Sequence, residues 1–100
     1  MQQGRLDIRQ YRVIFQMAKV FFTPQSQAEF DALPVTIRNR VLNVLERLGN
    51  WPEASGVKWL KHNWIGHARI RVGDWRVIFT CVAPDVIVVR VLNRRDVYED

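Results

Sequence analysis

One hundred residues, 48% of them apolar, suffice for one compact core and not for two, and leave little room to enclose a metabolite. Fifteen Lys and Arg against ten Asp and Glu give a net charge of +5, which favours a polyanionic partner such as nucleic acid or an acidic protein segment. A single cysteine excludes an internal disulfide and a Cys-rich metal site, and two histidines without an acidic cluster beside them leave neither metal nor cofactor expected.

Residues 1–16 (MQQGRLDIRQYRVIFQ) are polar and basic, with one short alternating piece at Tyr11–Phe15. Met17 opens MAKVFFTPQ, which reads as a natural beginning. Residues 1–16 are therefore expected to be an N-terminal extension or the result of an alternative start, and residues 17–100 a single domain. Arg12, Gln16 and Lys19 interrupt any signal-peptide core, and charges break every apolar stretch before about 18 residues. A cytoplasmic protein with no membrane partner is expected.

Lys19–Phe22 is a short strand candidate. Thr23-Pro24 then offers an N-cap followed by proline at the first helical position, which predicts a helix from Gln25 to about Leu33. A second helix is predicted from Val35 to Leu48. Ile37, Val41, Val44, Leu45 and Leu48 form one apolar stripe, while Arg38, Arg40, Asn43, Glu46 and Arg47 take the other side. Gly49 suits the position after its end. Residues 51–66 show weak periodicity and read as a connection, with Trp59, Leu60 and Trp64 covering the core edge.

From Arg69 the period becomes two. Arg69–Val72 alternates, Gly73-Asp74 supplies a two-residue turn, and Trp75–Val82 returns as a strand. After Ala83-Pro84-Asp85, Val86–Leu92 forms a last strand rich in Val and Ile. Cys81 lies in an apolar run and is expected to be a buried, inert thiol. The predicted fold is α+β: two N-terminal helices on one face of a small, mainly antiparallel sheet, in the order β-α-α-β-β-β.

No Gly-rich phosphate loop, GxSxG, HExxH or paired zinc ligands occur. What remains is arginine. Arg69 and Arg71 leave one face of their strand, and Arg76 begins the next strand across the turn. Arg90 and Arg94 share one parity of the last strand and its exit, with Arg95 and Tyr98 beyond. Two helices cover one face of such a sheet, so the other carries guanidinium groups whose only nearby acids in sequence are Asp74 and Asp85. A convergence of this kind suits a phosphate, which guanidinium binds as a fork. The plain alternative is the solvated face of a half-buried sheet.

The run from Gly66 to Phe79 (GHARIRVGDWRVIF), followed by Val91 to Tyr98 (VLNRRDVY), resembles the C-terminal half of the RelE/ParE toxins, with their YRIRVGDYRVIY and HRRDVY patterns. A Gly-Val-Lys-Xaa-Leu segment at Gly56–Leu60 agrees, and the resemblance covers about residues 17–98. It implies a toxin of a type II toxin–antitoxin system, with a cognate antitoxin as partner. In the RelE-like branch it also implies ribosome-dependent cleavage of messenger RNA, by attack of a ribose 2′-hydroxyl on the adjacent phosphate. Arg76, Arg94 and Tyr98 would be catalytic, and Arg69, Arg71, Arg90 and Arg95 would bind RNA phosphate. Tyrosine and arginine side chains ordinarily titrate well above neutral pH, far from the optimum for proton transfer there. Such a site depends on the ribosome to align the strand. The alternatives are a ParE-like inhibitor of DNA gyrase and an inactive antitoxin-binding module. Three positions depart from the pattern: Ala68 stands for Tyr, Trp75 for Tyr, and Asn93 for the His before the arginine. His67 is a candidate substitute for that His.

Overall fold

The computed structural model describes residues 18–97. The expectation for residues 1–16 lies outside this range, as do Met17 and residues 98–100. The chain runs through β1 (Val20–Phe22), α1 (Pro24–Asp31), α2 (Val35–Leu48), β2 (Lys58–Trp59), β3 (His67–Val72), β4 (Trp75–Val82) and β5 (Asp85–Asn93). Short 3-10 turns lie at His62–Trp64 and Arg94–Asp96. The predicted α+β order is present, with one strand added: β2 falls within what reads in sequence as a connection. Two residues are too short to display a period of two, and the strand exists only because β3 pairs with it.

The first helix starts as Thr23-Pro24 dictates. The Thr23 hydroxyl accepts the Ser26 N–H (3.1 Å), and Ser26 Oγ accepts the Thr23 N–H in return (2.9 Å). Ser26 is fully buried because its hydroxyl also donates to Val88 O at 2.6 Å, which ties the helix start to β5. Along α2 the buried positions are Val41, Val44 and Leu48, with Ile37 and Leu45 packed beside them, as the stripe predicts. Gly49 follows in a right-handed conformation (φ −63°), so its glycine is not used for backbone reach. It is buried, and its carbonyl accepts the Ala18 N–H.

The sheet order is β1-β5-β4-β3-β2. Three neighbouring pairs are antiparallel, and β1 lies parallel to β5. Ala68, Ile70 and Val72 of β3, Val77 and Phe79 of β4, and Val86, Val88 and Val91 of β5 meet Phe30, Leu33, Val41, Val44 and Leu48 in one core. Each fully buried Val or Leu contributes about 1.5–3 kcal/mol through burial. A bulge between Ile78 and Phe79 puts Val89 out of register, so that Val88 and Val91 both face the helices. Cys81 is half-buried against this core, and burial raises its thiol pKa. Among the described residues no helix is long and apolar enough to cross a membrane.

Candidate phosphate-binding face

Register decides which side chains share the face opposite the helices. Arg71 pairs with Arg76 directly across β3 and β4, and Arg76 pairs onward with Leu92. In the next row Lys58 pairs with Arg69, Arg69 with Ile78, and Ile78 with Arg90. The row beyond holds His67, Thr80, Ile87 and Phe21. Four cations, at positions 58, 69, 71 and 76, therefore occupy adjoining places on one sheet face. Strand neighbours lie about 5 Å apart across the sheet and alternate positions about 7 Å apart along it, distances that one nucleotide spans.

The arginines expected at the site differ in their surroundings. Arg69 and Arg76 are only 8% and 7% exposed, whereas Arg71 is exposed. Ile78, set between Arg69 and Arg90, is fully buried, so this face is not the plain solvated layer that alternation alone permits. Arg69 Nη1 donates to Gly56 O (3.3 Å). Arg76 Nη1 donates to Gly73 O and Trp75 O, both at 3.0 Å, so its guanidinium is folded over the β3–β4 turn. Gly73 makes that turn with φ +59°, as predicted.

The expected set without matching acids needs correction at Arg90. Its Nε and Nη2 donate to Glu29 Oε2 at 2.9 and 2.8 Å, and Glu29 Oε1 accepts the Val91 N–H at 2.8 Å. The reason lies in strand length. β1 ends at Phe22 opposite Val88, which leaves the β5 edge beyond it for a carboxylate of α1 to fill. Arg90 is thereby tied to α1, with Ile78 between it and Arg69 in the same row of the candidate face. Arg94 and Arg95 are exposed on the 3-10 turn after β5. Arg94 stands 3.7 Å from Asp74 in an exposed pair, and its N–H donates to Asp74 O at 2.7 Å, which brings it to the β3–β4 turn. Tyr98, expected to be catalytic, lies outside the described residues.

Sequence reasoning missed two residues. Lys58 joins the basic face only through the β2–β3 register, and its one sequence signal is the Gly56–Leu60 segment. Glu29 lies 61 residues from Arg90, and no local pattern links them. Two departures acquire a physical meaning. Ala68 is fully buried on the helix side, so the change there lies away from the arginines. Asn93 caps the 3-10 turn, its side-chain oxygen accepting the Arg95 N–H. His67 packs edge-on against Trp64 and lies two rows from the Arg71–Arg76 pair. Among the described residues no three His, Cys, Asp or Glu side chains gather as a metal site.

Residues 20–98 match the model of a family described as the ParE toxin of the type II toxin–antitoxin system, parDE. The chain belongs to this toxin family. Solved structures of RelE/ParE-type toxins have the same fold. The RelBE2 toxin–antitoxin complex from Mycobacterium tuberculosis matches at 24% identity with a TM-score of 0.68, over 77% of this chain and 98% of that one. The RelB–RelE complex from Methanococcus jannaschii matches at 24% identity and TM-score 0.64, over 76% and 92%. A YoeB/ParE toxin from Agrobacterium tumefaciens matches at 14% identity and TM-score 0.66, over 75% and 96%. No curated protein matches the chain. In this RelE/ParE-type toxin Lys58, Arg69, Arg71 and Arg76 lie on the face of the sheet opposite the helices.

Proposed function

We propose that this toxin is a ribosome-dependent endoribonuclease that cuts messenger RNA by attack of a ribose 2′-hydroxyl on the adjacent phosphate, releasing a 5′-hydroxyl product. The observation that carries the reading is the direct cross-strand pair Arg71–Arg76, beside the pair Lys58–Arg69. These pairs gather guanidinium groups on one face, and guanidinium forks readily onto phosphate oxygens. Arg76, with Arg69 or Arg71, would hold the phosphate oxygens and stabilise the charge added in the transition state. Arg94 assists the leaving oxygen, and Tyr98 accepts the 2′-proton or stacks on a base. Lys58, Arg95 and the remaining arginine hold the flanking backbone.

None of these side-chain types is a strong acid–base catalyst at neutral pH. The rate then comes from alignment and charge, and alignment is what a programmed ribosome supplies. A cognate antitoxin is the second expected partner, since the similar structures include toxin–antitoxin complexes. The match to a ParE family model keeps one other reading in view, inhibition of DNA gyrase without nuclease chemistry.

The test is cleavage of a defined messenger RNA with and without programmed ribosomes. Wild-type protein should cut only with ribosomes. Arg76→Ala should lose about 10²-fold or more, the size of losing one transition-state donor. Arg94→Ala and Tyr98→Phe should also be slowed. A folded, growth-inhibiting protein that cuts nothing, yet causes gyrase-dependent DNA breakage, would establish the other reading.

A further inference from the structure

We propose that His67 and Thr80 form a base-recognition subsite, which takes an unpaired nucleobase carrying an exocyclic amine beside the phosphate held by the basic face. The proposal rests on the nuclease reading and gives its substrate a base preference.

His67 of β3 and Thr80 of β4 are paired directly across the two strands, on the face opposite the helices. Side chains in such a pair start about 5 Å apart. Each has its hydrogen committed to the connection that precedes β3. His67 Nδ1 lies 3.3 Å from Ile65 O. A carbonyl oxygen only accepts, so Nδ1 is the donor, and the neutral ring presents a lone pair at Nε2. The Thr80 hydroxyl donates to Gly66 O at 2.9 Å, which leaves its oxygen to accept. The pair therefore offers two acceptors side by side, with neither hydrogen left to give. Trp64 stands edge-on to the His67 ring, the centroids 5.6 Å apart and the planes at 79°, and braces it.

The surroundings of the two acceptors select the ligand. Arg69 follows His67 on the same face of β3, about 7 Å along the strand, with Lys58 and Arg71 beside it. An ammonium or guanidinium group from a protein partner would satisfy the acceptors but would enter a region of like charge. A carboxylate suits the cations but brings more acceptors to the acceptors. A nucleotide meets both demands, because its base holds a neutral amine within reach of its own phosphate. Adenine, cytosine and guanine carry such an amine, whereas uracil presents carbonyl oxygens.

The experiment measures binding of fluorescein-labelled oligocytidine and oligouridine of equal length, which match in charge and ring size, across a salt series. Wild type should bind oligocytidine about tenfold more tightly. His67→Phe keeps a ring against Trp64 and removes the nitrogen, and Thr80→Val keeps the shape and removes the oxygen. Each should lower that preference, and the double variant should abolish it, with the slope of log K against log salt unchanged. Arg71→Ala should instead flatten the slope by about 0.7, one phosphate contact on a single strand, and keep the preference. A wild type that binds neither oligonucleotide, or binds both equally, would overturn the proposal. So would a preference that survives in the double variant, or a slope that falls there as it does in Arg71→Ala. A wild type that prefers oligocytidine yet cuts nothing on ribosomes sinks the nuclease reading and leaves the subsite standing.

Discussion

At the scale of single residues, the fold distinguishes arginines that look alike in sequence. Arg76 is held by two carbonyls at the turn, whereas Arg90 is held by the Glu29 carboxylate, which also takes the Val91 N–H. Both partners of the ion pair are less than one-third exposed, so solvent screens it less than a surface pair. Glu29→Ala leaves Arg90 and a strand N–H without their acceptor and should cost about 1.5–3 kcal/mol, read as a lower urea midpoint at unchanged slope. Glu29→Gln keeps an acceptor and should cost less. If both variants unfold with the wild-type midpoint, the pair does not stabilise the fold. The sequence shows the arginines and their parity, but not Glu29, because the partner arrives from a helix that local periodicity never connects to β5.

The elements follow from short-range chemistry wherever they are long enough to express it. The apolar stripe of α2 identifies Val41, Val44 and Leu48 as buried, and the helix meets the core through those positions. Leu48 is fully buried, while Leu42, six residues earlier and turned outward, is 45% exposed. Leu48→Ala should therefore destabilise by about 2–5 kcal/mol, and Leu42→Ala by about 0.5 kcal/mol or less, in denaturant unfolding. Similar losses at both positions would mean that α2 is rotated from the orientation described. The weakest element in sequence is β2. Its two residues owe their strand conformation to β3, and the same pairing delivers Lys58 to the basic face.

At the scale of the molecule, the N-terminal strand β1 lies parallel to the C-terminal strand β5, and α1 is fastened to β5 through Ser26 and Glu29. The two ends of the described chain thus close over a core that both helices share. Such a domain should unfold as one unit. Tryptophan fluorescence, dominated by Trp51, Trp59, Trp64 and Trp75, and far-UV circular dichroism should report coincident urea transitions. Separated transitions would show that the helical layer and the sheet come apart independently.

The sequence by itself determined the α+β order, the turn at Gly73, the α2 core stripe, and a strand face rich in arginine. Each of these is a local property, set by hydrophobic period, capping chemistry or the backbone freedom of glycine. The tertiary structure alone decided which charges meet. It set Lys58 beside Arg69, gave Arg90 to Glu29 and moved Ala68 away from the basic face. Those neighbours are distant in sequence, and only strand register and helix docking bring them within the few ångströms over which charges and hydrogen bonds act.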